Sequence, residues 1–163
     1  MEIEFAWREL FTSVITARFR PTRCRNSVVA GMAFGNDRGM VSRVQHVAID
    51  CADAYALSLF WSAATGSPTH PEDGPGAEET QVLLAEGPVL HFNQVPESKT
   101  IKNRIHLCLR PESSRDEEVD RLRGIGATFV ADHRNPDGSG WVILADPEGN
   151  EFCVLRNNSG CES

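Results

Sequence analysis

Hydrophobic and polar residues alternate along this chain in short blocks that predict strands, and two further blocks show helical spacing. In the first helical block, residues 53–65, the apolar side chains recur at i, i+3, i+4 and i+7 after Asp53, a favourable N-cap, and stop before Gly66. This stripe consists of Leu57, Phe60, Trp61 and Ala64. The predicted strands are residues 44–51, 81–85, 89–95, 104–109, 127–131, 141–145 and 151–155.

The second helical block begins at Ser114, which forms a capping-box pattern with Glu117 three residues later. Three acidic residues, 116–118, stand in its first turn, where the positive end of the helix dipole favours them. Val119, Leu122 and Ile125 are its candidate apolar stripe, and a glycine at 124 or 126 ends it. This block therefore predicts a second helix.

The predicted elements recur at an offset of 60 residues, so the chain reads as an internal duplication. His46 maps onto His106 and Gly66 onto Gly126 at this offset. The apolar segment 82–86 maps onto 142–146, and Phe92 maps onto Phe152, with His91 falling on Glu151 and Asn93 on Cys153. The duplication predicts an α+β fold of two tandem βαβββ modules, about residues 43–96 and 103–156.

A turn motif near the end of the second module is the most distinctive local feature of the sequence. Asp146-Pro147-Glu148-Gly149 supplies turn residues between two apolar strands, with Asp146 expected to close an Asx-type turn. In the strand that follows, period-2 alternation places Glu151 and Cys153 on one face and Phe152 on the other. A carboxylate on a mostly apolar strand indicates either a surface face or a site.

Composition narrows the class of protein. The chain has 163 residues, 40% of them hydrophobic, and a net charge of −7, which is typical of one globular domain and argues against nucleic acid or an anionic membrane as partner. The five cysteines are scattered without zinc-finger or redox-motif spacing, so we expect a cytoplasmic protein. No apolar run is long enough to span a bilayer.

Residues 1–39 differ from the rest of the chain in charge. They hold six arginines against four acidic residues, whereas residues 40–163 hold ten Lys and Arg against nineteen acidic residues. They match neither module, and Met40 is a suitable start for the duplicated part. We therefore interpret residues 1–39 as an N-terminal extension outside the fold and residues 40–163 as a single domain.

The paired modules, the histidine opening each first strand, and the sequence Asp-Pro-Glu-Gly-Asn-Glu-Phe at 146–152 resemble the vicinal oxygen chelate superfamily, and within it the glyoxalase-like domains. Relatives of this kind include glyoxalase I, fosfomycin-resistance and bleomycin-binding proteins, and extradiol dioxygenases. The resemblance covers about residues 43–156. It implies two curled mixed sheets around a shared cleft that binds a small molecule, and a homodimer that covers the open sheet edges.

The resemblance also implies where a metal would bind. Metal-dependent members place ligands on the first and last strands of each module, which corresponds to His46 and His106 here. Their last carboxylate ligand stands seven residues after the motif Asp, and that position is Cys153, with Asn93 as its counterpart in module one. One pleat step earlier lie His91 and Glu151. We therefore predict His46, His106, Glu151 and His91 as ligands of one divalent ion, Zn, Ni, Mn or Fe.

Each candidate has an alternative interpretation. The paired histidines are also compatible with core residues bonded to the backbone, His91 and Glu151 with an ion pair on a sheet face, and Cys153 with inert packing. Two functions follow. One is a metal-assisted lyase or isomerase acting on a small oxygenated substrate, with Glu151 moving a proton. The other is a metal-free module that sequesters a small molecule, as bleomycin-resistance proteins do.

Overall fold

The two modules each open with a strand and a helix, and each continues into antiparallel strands. The computed structural model describes residues 42–157, so the predicted extension at 1–39 lies outside the described residues. Module one contains β1 (His46–Cys51), α1 (Ala54–Thr65), β2 (Glu79–Val82) and β3 (Val89–Gln94). Module two contains β4 (Cys108–Leu109), α2 (Arg115–Gly124), β5 (Thr128–Asp132), β6 (Trp141–Ala145) and β7 (Glu151–Leu155).

Both sheets have the same mixed topology, which confirms the expected α+β fold class. The strand order is β1-β3-β2 in the first sheet and β4-β7-β6-β5 in the second. The first strand of each module runs parallel to the last one, and the other neighbours are antiparallel. Each parallel pair therefore brings the two ends of its module together. No helix among residues 42–157 is long and apolar enough to cross a membrane.

The first module lacks one full strand of the expected βαβββ pattern. In the place of β5 it has a single bridge between Thr69 and Val82, extended by hydrogen bonds from His70 N to Gln81 O and from Leu83 N to Pro68 O. Prolines stand at 68 and 71, on both sides of this bridge. Because proline has no N–H to give to a ladder, the pairing cannot lengthen.

The parallel ladders of the two modules differ in register by one pleat step. Ala48 pairs with His91 in the first sheet, and the 60-residue offset would pair Cys108 with Glu151 in the second. The observed partner of Cys108 is Cys153. The strand predicted at 104–109 is also reduced to Cys108–Leu109, so His106 lies ahead of the strand rather than on it.

Helix α1 has the caps and the buried face that its spacing predicts. The Asp53 side chain accepts a hydrogen bond from Ala56 N at 2.9 Å, and Gly66 ends the helix with φ of 65°. All four residues of the apolar stripe are buried. Phe60 and Trp61 of this stripe pack edge-on against Phe152 of β7, with ring centroids 6.2 and 5.2 Å from it. One hydrophobic core therefore spans both modules.

The turn motif of module two clamps the helix of module one. Asp146 closes the expected Asx turn by accepting from Glu148 N at 3.0 Å, and it also accepts from Trp61 Nε1 at 3.2 Å. The Glu148 carboxylate accepts from the N–H groups of Ala52 and Asp53 at 2.7 and 2.9 Å, immediately before α1. A carboxylate at a helix N-terminus is electrostatically favourable. The motif thus joins the modules, which its local turn chemistry did not reveal.

Candidate functional site

A cleft of about 540 Å³ lies where the two modules meet. One wall is the end strand β1, through residues 47–50, and the other is the connector between the modules, through residues 98–105 and Leu107 but not His106. Asn150, the beginning of β7 and Trp61 of α1 complete the lining. Both modules therefore contribute to one cleft, as expected. Its volume lies within the range typical of small-molecule sites.

Glu151 stands in this cleft as a carboxylate that the connector holds in place. It accepts a hydrogen bond from Asn103 N at 3.1 Å and forms an ion pair with Lys99, whose Nζ is 3.1 Å from Oε2. The Glu151 side chain is 15% exposed. Burial acts to raise the pKa of Glu151, but these hydrogen bonds outweigh it and lower the pKa to about 2. A carboxylate with such a low pKa is a weak base near neutral pH, which argues for an orienting role.

The connector is attached to the second module by further polar contacts. Lys102 Nζ lies 2.8 Å from His106 Nε2. Asn103 Nδ2 donates to Asn150 Oδ1 at 3.2 Å. These contacts order the segment that precedes β4, and they explain why it follows the cleft instead of continuing the strand. They also engage His106, one of the predicted ligands, with a lysine.

His46 and His91 form a separate pair in the first sheet. Their ring centroids are 5.7 Å apart in an edge-on arrangement. His91 is buried, its Nε2 lies 3.6 Å from Glu79 Oε2, and its Nδ1 lies 3.5 Å from Gln81 Nε2. Neither histidine is among the residues that line the cleft. His91 therefore contacts Glu79 rather than Glu151, and Glu151 is paired with Lys99 instead.

The four predicted metal ligands do not form one ligand set in this arrangement. His46 lies with His91, His106 with Lys102, and Glu151 with Lys99. Within residues 42–157 no group of three or more His, Cys, Asp or Glu side chains is placed to hold a metal ion. The physical reason is the register difference between the modules together with the connector, which supplies Glu151 with cationic and N–H partners. The four predicted ligands therefore do not fit one divalent ion as a set, and His46 and His91 are the two of the four that remain together.

Cys153 lies beside Cys108 on the neighbouring strand. Burial, together with the neighbouring Cys108 thiol, raises the pKa of Cys153 to about 11. Burial likewise raises the pKa of Cys51 to about 12. Thiols with such pKa values are protonated at neutral pH and are poor nucleophiles or ligands. This agrees with the interpretation of Cys153 as inert packing.

The sequence reading missed the cationic residues of the cleft. No helix or strand is predicted for residues 96–103, yet Lys99, Lys102 and Asn103 of this segment line the cleft, together with Arg104 from the predicted strand 104–109. Hydrophobic periodicity carries no information about such a segment. Its composition does carry a signal, because the two lysines of the entire chain both stand in it.

Comparison with known proteins agrees with this architecture. A family model described as "Glyoxalase-like domain" matches residues 46–155. No curated protein sequence matches the chain.

Three solved structures of similar fold have low sequence identity to this chain. One, from Burkholderia phytofirmans PsJN, is a glyoxalase/bleomycin resistance protein/dioxygenase family enzyme; it is 20% identical, with 69% of this chain and 97% of that chain covered and a TM-score of 0.57. Protein ATC0852 from Agrobacterium tumefaciens is 18% identical, with 72% and 98% covered and a TM-score of 0.58. The fosfomycin resistance protein FosX from Listeria monocytogenes, in complex with Mn(II) and 1S,2S-dihydroxypropylphosphonic acid, is 16% identical, with 73% and 93% covered and a TM-score of 0.57.

Proposed function

The chain belongs to the glyoxalase-like domain family, and from this premise we propose that it binds a small organic molecule in the cleft between β1 and the connector, without a metal ion. The observation that carries this proposal is the set of contacts that the Glu151 carboxylate makes. This carboxylate, which a metal-dependent site would use as a ligand, is paired with Lys99 and accepts a hydrogen bond from the Asn103 N–H. What remains is a cavity with apolar walls and a few ordered polar groups, which is the usual composition of a ligand pocket.

The lining favours an organic molecule with a substantial apolar part. Val47, Ile49 and Leu107 contribute aliphatic surface from β1 and from the connector. Polar groups stand mainly on the connector side. A ligand would therefore gain most of its affinity from desolvating its apolar part and would be oriented by the connector.

The proposal is tested by filling the cleft. Ala48 is exposed on β1 and lines the cavity, so Ala48→Trp would occupy it without entering the core. Ala63→Trp, on the exposed side of α1, is the matched control. We expect N-phenyl-1-naphthylamine, a neutral fluorescent probe, to bind the unchanged protein and the control alike, and to bind Ala48→Trp at least tenfold more weakly. Equal binding to all three proteins, or no binding to any, would contradict the proposal.

A metal-assisted lyase or isomerase is the second candidate, and the pairing of His46 with His91 favours it. Two imidazoles at neighbouring positions suit Zn, Ni, Mn or Fe, and the similar FosX structure contains Mn(II). Thermal unfolding with each ion added distinguishes the candidates. A rise in midpoint that His46→Ala abolishes would support the metal-dependent function, and the absence of any rise would favour the metal-free module.

We also propose a homodimer, supported by exposed apolar residues on β5, the end strand of its sheet. Phe129 and Val130 are 53% and 48% exposed, and end strands with such residues need covering. Sedimentation showing only monomer at high concentration would refute the dimer. The cytoplasmic location expected from the cysteine pattern stays a prediction.

A further inference from the structure

We propose that the cleft selects amphipathic anions, molecules with an apolar body and one carboxylate, sulfonate or phosphonate group, and that Lys102 and Arg104 are the residues that select them. This inference rests on the proposed function, because it names the ligand class of the same cleft. It depends on three features of residues 98–107: their charge, the partners of their cations, and their exposed apolar side chains.

The connector is a local concentration of positive charge in an acidic protein. The net charge of the chain is −7, yet residues 98–111 contain four cationic residues and no acidic residue. Both lysines of the chain and Arg104 line the cleft. Distant charges are screened over about 8–10 Å at physiological salt. The acidic residues elsewhere therefore do not cancel the attraction that a ligand in the cleft experiences.

The cations of the cleft differ in the partners they already have. Lys99 is paired with Glu151, so this pair contributes no net charge. Lys102 contacts the imidazole of His106 rather than a carboxylate. Among the ion pairs within residues 42–157, none includes Lys102 or Arg104. The one further acidic residue in the lining is Asp50, on the β1 wall. Within residues 42–157, therefore, the connector wall keeps two cations that form no ion pair with a carboxylate.

Apolar side chains stand between these cations. Ile101 and Ile105 both line the cleft and are 75% and 80% exposed. Such exposure of large aliphatic residues is typical of a surface that a ligand covers. With Val47 and Ile49 of β1 across the cleft, they offer an apolar molecule contacts on two sides. Alternation of aliphatic and cationic residues on one segment matches a ligand that is apolar along its body and anionic at one point.

A pair of related fluorescent probes separates charge selection from apolar binding. 8-Anilinonaphthalene-1-sulfonate and N-phenyl-1-naphthylamine share the same aromatic framework, and only the first carries a sulfonate. Both would be titrated at about 0.15 M ionic strength, where the screening length is about 8 Å, into the unchanged full-length protein and into Lys102→Gln/Arg104→Gln. The matched control, Arg43→Gln/Arg123→Gln, removes the same net charge at exposed positions outside the lining. Thermal unfolding of each variant would verify that it is folded.

We expect Lys102→Gln/Arg104→Gln to bind the sulfonate probe about three- to tenfold more weakly, as for the loss of one or two exposed charge pairs. Binding of the neutral probe should stay within twofold, and the control variant should bind both probes normally. Ala48→Trp should also weaken binding of the sulfonate probe, which would show that this probe binds in the cleft. Benzoate or phenylphosphonate should displace it more effectively than benzyl alcohol does.

Three results would overturn the inference, and they have different meanings. If the neutral probe binds in the cleft but the sulfonate probe is insensitive to Lys102→Gln/Arg104→Gln, the cleft binds small molecules without selecting anions, and the proposed function stands. If neither probe binds the unchanged protein, the proposed function and the anion selection both fail. An equal loss of sulfonate binding in the control variant would show a general charge effect and would also overturn the inference.

Discussion

Replacing Asp146 by alanine should destabilise this protein more than any other single change in the turn motif. The carboxylate of Asp146 is almost fully buried, and it accepts hydrogen bonds from four donors. Three come from its own turn, Glu148 N at 3.0 Å, Asn150 N at 2.8 Å and Asn150 Nδ2 at 3.1 Å. The fourth, Trp61 Nε1 at 3.2 Å, comes from the other module. One side chain therefore stabilises both the turn and the contact between modules.

The size of the destabilisation depends on whether each donor can be solvated once the Asp146 carboxylate is removed. The Trp61 N–H is buried, and leaving it without an acceptor costs about 1–3 kcal/mol. The donors of the turn are half-buried and can partly be solvated, so together they lose about 1 kcal/mol. The free energy of unfolding should fall by about 3 kcal/mol. For a domain of this size that corresponds to a decrease in the thermal midpoint of about 10–15 °C.

Urea and thermal unfolding of four proteins test this reasoning: the unchanged protein, Asp146→Ala, Trp61→Phe and the double variant. Trp61→Phe removes the N–H but keeps an aromatic ring beside Phe152, so Asp146→Ala should cost about 1–2 kcal/mol less in that background. Asp137→Ala is the control, because Asp137 is an exposed turn residue that accepts from Ser139 N at 2.9 Å. Purely additive effects, or a loss no larger than that of Asp137→Ala, would refute the proposed role of Asp146.

Three further predictions concern the cleft carboxylate, one glycine and the N-terminal residues. The folded-state pKa of Glu151 is lowered to about 2, so the contribution of its carboxylate to the free energy of unfolding is complete above about pH 4.5 and is lost as the pH falls towards 2. In a series of urea unfolding curves at different pH, Glu151→Gln should remove about 1–2 kcal/mol of this acid dependence, after allowance for solvent screening. Gly140 has φ of 89°, and a Cβ there would clash with the His133 carbonyl oxygen, so Gly140→Ala should lower the free energy of unfolding by about 2 kcal/mol or more. The control is Gly124→Ala, whose Cβ would have no neighbour within 4 Å; it should raise the free energy of unfolding by about 0.5–1 kcal/mol. A chain shortened to begin at Met40 should unfold within a few degrees of the full chain, and a large decrease in midpoint would show that residues 1–39 pack onto the domain.

Local spacing was sufficient to predict the elements and their order. The stripe of α1 and the Ser114–Glu117 capping box are interactions between residues three or four apart, and both are present. The 60-residue duplication likewise implied two similar modules, because each repeat carries its own periodicity and turn residues. Such patterns can be read from the chain because the contacts that enforce them are close in sequence.

The site was decided by contacts between residues far apart in the chain. Glu151 was predicted as a site residue and lies in the cleft, but its partners, Lys99 and Asn103 N–H, stand about fifty residues earlier and have no motif. The two parallel ladders also differ in register by one pleat step, since Ala48 pairs with His91 but Cys108 pairs with Cys153. The sequence repeat could not predict this difference, because it matches the two modules residue for residue. Side-chain alternation gives the face of a strand, but only the paired strand gives its position along that face.

The turn motif shows both levels in the same few residues. Its sequence determined the Asx turn through Asp146 and Glu148, since that hydrogen bond spans two residues. The tertiary structure alone determined that Asp146 receives the Trp61 indole and that Glu148 receives the first N–H groups before α1. The physical reason is that a turn carboxylate keeps unused acceptor capacity, and only the packing of the modules decides which buried donors reach it.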